Sequence, residues 1–331
     1  MASFYTQKMR LLPPNPMDAL LAVDGGGTTT RCVIADDTLD VLVSVSGEPT
    51  AVARGLDSAL TALFAVVEQA LNEAVQRSPA PVVLRAACLG LSGISTTDAG
   101  PRVQQAIIRF LLDRGQSLPA QSVRVVSDSE IALVGALSGK PGIVLIVGTG
   151  ATAVGRDAKG DSFRADGWGW LLGDAGSGFA IGRSALRAAF ASLDGRGAET
   201  RLVSAIPAHF GVSSLEEIVP RVYFDAWTPA RIATLAPVVV RLADEGDRVC
   251  SQILYRAGVA LAKSVCAVKR RLAFGPQVDV SYQGSVIQKT PMIRRVLQDT
   301  LLKEAPGCRL LAPEREPIEG ALLLAREAMF Y

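Results

Sequence analysis

Ala19-Leu20-Leu21-Ala22-Val23-Asp24-Gly25-Gly26-Gly27-Thr28-Thr29-Thr30-Arg31-Cys32-Val33-Ile34-Ala35 reads as an apolar strand, a glycine-rich turn and a returning strand. Glycine lets a backbone come close to a phosphate and take positive φ, while free N–H groups and threonine hydroxyls donate hydrogen bonds. An acid, three glycines and then hydroxyls is more than a hairpin needs, which makes Gly25, Gly26, Gly27, Thr28 and Thr29 candidate phosphate contacts. The pattern returns at Ile143–Val147, Gly148-Thr149-Gly150 and Ala151–Arg156. A repeated opening predicts two homologous halves that bracket a cleft. Gly148, Thr149 and Gly150 would then grip the same nucleotide from the opposite wall.

Working outward, Val41–Val45 supplies a third strand. Leu56, Leu60, Leu63, Val67, Ala70, Leu71 and Val75 recur at helical spacing, so a helix is expected from Gly55 to Arg77, ending before Pro79. A buried strand at Val82–Leu91 follows, then a helix from Pro101, a strand at Val123–Val126 and a helix at Ser129–Leu137. Gly139, Pro141 and Gly142 mark a boundary. The expected layout is an irregular tail over 1–16, a first domain over 17–138 and a second over 139–331. The second should carry helices at 178–193, 200–210, 229–245 and 247–274, a strand at Val278–Tyr282 and a last helix at Pro317–Ala328.

Composition narrows the function. The 331 residues are 49% hydrophobic, enough for a sizeable core. A net charge of +2 is too small for the basic field of a nucleic-acid or anionic-membrane binder. No apolar run of about 18 residues exists, so neither a membrane span nor a secretory signal is expected and a cytoplasmic location is. Cys32, Cys88, Cys250, Cys266 and Cys308 show no metal or iron–sulfur spacing. The single histidine, His209, leaves no material for a Ser-His-Asp triad and reads as structural. A small, locally recognised ligand remains, and symmetry statistics favour a homodimer.

Asp24 and Asp128 each end an apolar strand, where open α/β sheets bind ligands. For Asp128 the competing reading is a cap on the helix that follows. Phosphoryl transfer to an alcohol needs a base at the hydroxyl, a metal ion at the phosphates and donors that hold them in line. No Walker motif is present, since Gly139-Lys140 runs into Pro141, and Gly176-Ser177-Gly178 lacks dinucleotide-site spacing. In the stretch from Asp166 to Gly178, Trp168 and Trp170 stand among glycines beside Asp174. An aromatic face next to small residues and a carboxylate suits the C–H face and hydroxyls of a sugar.

In order along the chain, Asp24–Thr28, Gly90–Gly93, Asp128, Gly148–Gly150, Gly167–Gly178, Gln283-Gly284-Ser285 and Pro317-Ile318-Glu319-Gly320-Ala321 resemble the N-acetylglucosamine kinase and BadF/BadG/BcrA/BcrD-type ATPase family, within the actin-like ATPase superfamily. The resemblance implies an α/β protein of two ribonuclease-H-like domains closing a cleft on ATP and an amino sugar, with the last helix packing back on the first domain. It implies that Thr28 and Thr149 contact ATP phosphates, that Asp24 holds Mg²⁺ through water, and that Gly284 and Ser285 approach the nucleoside. Asp128 matches the catalytic aspartate, which takes the proton of the sugar 6-hydroxyl. Gly167, Trp168, Gly169 and Asp174 match sugar-site positions.

Two departures stand out. Thr50 replaces the family's sugar-touching asparagine, and Ala175 replaces the glutamate of its Gly-Asp-Glu-Gly-Ser motif. Both leave the phosphate machinery intact and bear on the sugar, so the expected acceptor is N-acetylglucosamine, with glucosamine and N-acetylmuramic acid as alternatives. Two further readings of the same fold are an ATPase activator, which needs cysteines for an iron–sulfur cluster, and a sugar-responsive sensor, which does not need Asp128.

Overall fold

The computed structural model describes residues 15–52, 55–94, 98–225 and 227–330. Residues 1–14 of the expected tail lie outside them. Contacts divide the chain into a first unit running to Ile131 and resuming at Pro317, and a second unit spanning Ala132–Glu316.

The first unit opens with β1 (Met17–Gly25), β2 (Thr30–Asp36) and β3 (Val41–Gly47), an antiparallel meander in which Val23 faces Cys32 and Ile34 faces Val43. Then come α1 (Leu56–Arg77), β4 (Val82–Leu91), α2 (Ala99–Leu112), β5 (Val123–Ser127) and α3 (Asp128–Leu137). Strands β4 and β5 join in parallel and give the sheet order β3-β2-β1-β4-β5. Leu20, Leu21, Ala22 and Val23 of β1 are all fully buried, which a strand shows when both sheet faces are covered. Helix α1 covers β2 and β3 with Leu63, Val66, Val67 and Ala70. The chain's last helix, at Pro317–Ala328, packs on β1 and β4.

The second unit repeats the plan. Its strands are β6 (Gly142–Val147), β7 (Ala151–Arg156), β8 (Ser162–Asp166), β9 (Val278–Gln283) and β10 (Cys308–Leu310), in the order β10-β9-β6-β7-β8. Strands β6, β7 and β8 are antiparallel neighbours, while β9 and β10 join in parallel, as in the first sheet. Between β8 and β9 lie α4 (Gly178–Leu193), α5 (Leu202–Phe210), α6 (Ile218–Tyr223), α7 (Pro229–Ala233), α8 (Ala236–Asp244) and α9 (Arg248–Arg271). After β9 come α10 (Ser285–Lys289) and α11 (Pro291–Glu304), and the helix at Pro317–Ala328 is α12. Helix α9 is capped by the Asp247 carboxylate, which accepts the Cys250 N–H at 3.0 Å, and packs on β6, β7 and β8.

The structure departs from the sequence reading in three places. The units divide inside α3, ahead of the Gly139 turn, because Leu133, Ala136 and Leu137 pack with Val144 and Val154 of the second sheet. The single helix expected at 229–245 is broken at Thr234-Leu235, and Pro237, which has no N–H to give, stands in the first turn of α8. Strands β8 and β10 and helices α6, α10 and α11 were not foreseen.

Leu324 of α12 is fully buried, so Leu324→Ala is expected to cost about 2–5 kcal/mol in chemical denaturation. A loss below about 1 kcal/mol would show that α12 is not part of the first unit's core.

Candidate active site

The first glycine turn closes through a hydrogen bond from the Gly26 N–H to the Thr29 carbonyl at 3.0 Å. Two of its glycines are required for space. A Cβ on Gly25 would stand 2.2 Å from the Thr50 Oγ1 and 2.6 Å from Leu91, and one on Gly26 would stand 3.0 Å from the Thr29 carbonyl oxygen. At Gly27 nothing lies within 4 Å. Positive φ, expected from the sequence, is adopted by none of Gly25, Gly26, Gly27, Gly148 and Gly150. The turn is packed from below and open above, with Thr28 and Thr29 exposed.

Thr50 is beneath this turn and fully buried, its hydroxyl 2.9 Å from that of Thr30. The Ser92 N–H donates to the Gly25 carbonyl and the Val52 N–H to the Ser92 carbonyl, fastening the same layer. Thr50 therefore props the turn from beneath, its hydroxyl turned to Thr30. An asparagine side chain is longer, whereas Thr50 fits the slot that the missing Cβ of Gly25 leaves.

Asp24 is half-buried at the end of β1, and Asp128 is half-buried immediately after β5, two strands away in the same sheet. The question of capping is answered by Ser127, whose Oγ accepts the Glu130 N–H at 3.1 Å and lies 2.9 Å from the Ser129 hydroxyl. Asp128 Oδ1 accepts the adjacent Ser129 N–H at 2.8 Å. Because Ser127 caps α3, the carboxylate of Asp128 is not needed for that purpose.

In the second unit, the Gly148 N–H donates to the Gly150 carbonyl at 2.9 Å. Helix α4 begins against this turn: the Gly178 N–H donates to the Gly148 carbonyl and the Phe179 N–H to the Thr149 carbonyl. Asp174 also lies against it, accepting the Ala151 N–H at 3.1 Å, and both its carboxylate oxygens would be 3.0 Å from a Cβ on Gly150. Asp174 thus braces the glycine turn.

The organiser of the tryptophan loop is Asp166, which was not among the expected site residues. Its carboxylate accepts the N–H groups of Gly167 at 2.8 Å, Asp174 at 2.6 Å and Ala175 at 3.0 Å. A Cβ on Gly173 would strike the Asp166 Oδ1, and one on Gly167, at φ +74°, would strike Thr152. The Gly169 carbonyl accepts from Gly173 and closes the loop. The only signal in the sequence is an acid eight places before another in a glycine-rich stretch. Trp168 is 64% exposed, the Arg164 guanidinium lies 5.0 Å from its ring centre, and it lines an open hollow with Gly173, Ala175 and Tyr255. Burial pushes the Asp174 carboxyl up, the neighbouring Asp166 charge adds to this, and the Ala151 N–H opposes it.

Gly148, Thr149 and Ser285 line one cavity of about 620 Å³. Its other walls are Ala230 and Ala233 of α7 and Pro237 and Val240 of α8, residues that sequence reasoning missed. Their signal is the helix break, which turns two short apolar faces to the glycine turn. Lys289 and Arg241 share the lining with Asp244 and Glu245, and Arg241 is paired with Glu245 at 3.2 Å. Gly284, at φ +98°, lets α10 start against β6, since a Cβ there would stand 2.4 Å from the Val147 carbonyl oxygen. An apolar slot ending at a glycine turn fits a flat base with a phosphate chain.

Among the described residues no three Asp, Glu, His or Cys side chains converge as a metal site, and no helix is long and apolar enough to cross a membrane. Cys32, Cys88, Cys250 and Cys266 are buried, and Cys308 is half-buried.

The raised Asp174 carboxyl makes a signed pH prediction. A carboxyl that holds its proton more tightly when folded favours the folded state at low pH, and that contribution declines as pH rises above the ordinary value of 3.8. Asp174→Asn keeps an acceptor for Ala151 and removes the titration. In thermal melts the wild type should lose stability relative to this variant as pH rises above the ordinary carboxyl value of 3.8. A difference that stays constant would contradict the assignment.

Comparison with known proteins places the chain. The model of the BadF/BadG/BcrA/BcrD ATPase family matches residues 21–325. An N-acetylmuramic acid/N-acetylglucosamine kinase of Clostridium acetobutylicum is 30% identical over 94% of this chain and 99% of its own length. An N-acetyl-D-glucosamine kinase of Dictyostelium discoideum is 26% identical over 93% of this chain and 98% of its own. A crystal structure from Chromobacterium violaceum, provisionally assigned as an N-acetylglucosamine kinase, superposes with a TM-score of 0.70 at 27% identity, covering 93% of this chain and 99% of that one. This chain is a member of the BadF/BadG/BcrA/BcrD ATPase family.

Proposed function

We propose that the protein is an ATP-dependent amino-sugar kinase that phosphorylates the 6-hydroxyl of N-acetylglucosamine, with Asp128 as general base. The observation that carries this reading is the apolar-walled cavity ending at the Gly148-Thr149-Gly150 turn, which has the chemistry of a nucleotide site. The full-length likeness to N-acetylglucosamine kinases supports the acceptor.

In this reading the adenine and ribose occupy the slot between Ala233, Val240 and Ser285, and the Thr149 hydroxyl and turn N–H groups hold phosphate oxygens. Gly25–Thr29 supply the matching donors of the first unit, where Gly27 leaves the backbone uncovered. Trp168 offers its exposed ring to the C–H face of the sugar beside Gly167 and Gly169, and Asp174 orders that loop against the phosphate turn. Asp128 accepts the proton of the 6-hydroxyl while that oxygen bonds to the γ-phosphorus. The bond from the γ-phosphorus to the bridging oxygen breaks, and ADP leaves with the electron pair. A Mg²⁺ ion carried by ATP would neutralise phosphate charge. A single half-buried carboxylate, Asp24, suits such an ion, which keeps most of its waters and takes the rest of its ligands from the nucleotide.

N-acetylmuramic acid is favoured as a second acceptor by the charges around Trp168. Its lactyl carboxylate would meet Arg164 and no glutamate, because Ala175 stands in that place. The iron–sulfur activator reading is disfavoured by cysteines enclosed in their own units: burial pushes the Cys250 thiol up to about 12 and raises those of Cys32, Cys88, Cys266 and Cys308.

Asp128→Asn should bind sugar and nucleotide as the wild type does while kcat falls about 10²-fold to 10⁴-fold, measured as sugar-dependent ADP release. Near-normal turnover would remove Asp128 from the base role.

A further inference from the structure

The second unit contains another cavity, of about 650 Å³, that the proposed reaction does not use. Its walls are aromatic: Trp170, Phe179, Phe190, Tyr223 and Trp227 all line it. In a chain whose aromatic residues make up 5% of the total, five around one cavity form a concentrated recognition surface. Trp170 and Phe179 meet edge to face with centres 5.6 Å apart, so one corner is already set for a flat ring.

The charge on this cavity is one-sided. Arg183, Arg187 and Arg196 line it, and no acidic side chain does. Arg196 is paired with Asp194 at 2.6 Å. Arg183 and Arg187 lie one turn apart on the exposed side of α4, and among the described residues neither has an acidic partner. The guanidinium of Arg183 lies 5.5 Å from the Phe179 ring centre. Like charges at this helical spacing repel and cost stability, and an anion bridging them removes that cost.

We infer that this cavity binds a small phosphate ester of a planar ring, with the ring among Trp170, Phe179 and Trp227 and the phosphate on Arg183 and Arg187. The site adjoins the candidate nucleotide cavity through α7, whose Pro229 and Ile232 face this cavity while Ala230 and Ala233 face the other. Helices α4 and α7 touch backbone to backbone there, since a Cβ on Gly182 would stand 2.1 Å from the Ile232 carbonyl oxygen. The ligand site itself does not depend on the kinase reading.

Phenyl phosphate is the probe, titrated into the full chain without ATP or sugar and followed by tryptophan emission, because Trp170 and Trp227 line the cavity. Saturable binding is expected, tighter than that of inorganic phosphate or benzyl alcohol alone. The double variant Arg183→Ala, Arg187→Ala should weaken it by about tenfold or more. Val219→Phe, which narrows the cavity and leaves the arginines in place, should weaken it too. All three positions are exposed, so the fold tolerates the changes. Unsaturable binding, equal affinity for inorganic phosphate, or unchanged affinity in either variant would overturn the assignment. Because no nucleotide or sugar is present, none of these results depends on whether the kinase reading holds.

Discussion

Beside each glycine turn a polar side chain fills the space that a Cβ would need. In the first unit it is the Thr50 hydroxyl, and in the second the Asp174 carboxylate. Each is held in turn, Thr50 by Thr30 and Asp174 by the Ala151 N–H and by Asp166 through its own backbone. Packing from below holds the turns without positive φ and leaves their upper surface to a ligand. In the proposed reaction the donors for a phosphate chain would then be in place before it binds, and such preorganisation is what phosphoryl transfer relies on.

The repeated strand plan distributes this chemistry. In both sheets the glycine turn joins the central strand to its antiparallel neighbour, and parallel strands lie on the other side. Asp24 and Asp128 stand at the ends of β1 and β5 for that reason, and Ser285, one glycine beyond β9, lines the cavity at Gly148. The second unit then adds α4 to α9 between β8 and β9, and those helices contribute walls to two of its cavities.

Much of this was legible in the residues. Strands β1, β2, β6 and β7 announce themselves as apolar runs around glycine turns, and α1 and α12 by regular apolar spacing. Strand β8 was hidden because Ser162-Phe163-Arg164-Ala165-Asp166 is a short, half-exposed edge with only two apolar residues, and β10 because it has only three residues. The roles of Thr50 and Asp166 were not legible at all. A buried hydroxyl pair and a carboxylate that collects N–H groups from residues up to nine positions away are tertiary facts that leave no local pattern. The same holds for the cavity beside Gly148, two of whose walls come from short helices that read as one.

The most direct test of the account is whether the protein makes a sugar phosphate. With MgATP and a panel of glucose, glucosamine, N-acetylglucosamine, N-acetylmannosamine and N-acetylmuramic acid, ADP release is followed together with mass detection of the product. The account predicts a phosphorylated N-acetylglucosamine in step with ADP, with the phosphate on the 6-hydroxyl. ATP binding with no sugar-dependent ADP and no phosphorylated sugar would contradict it.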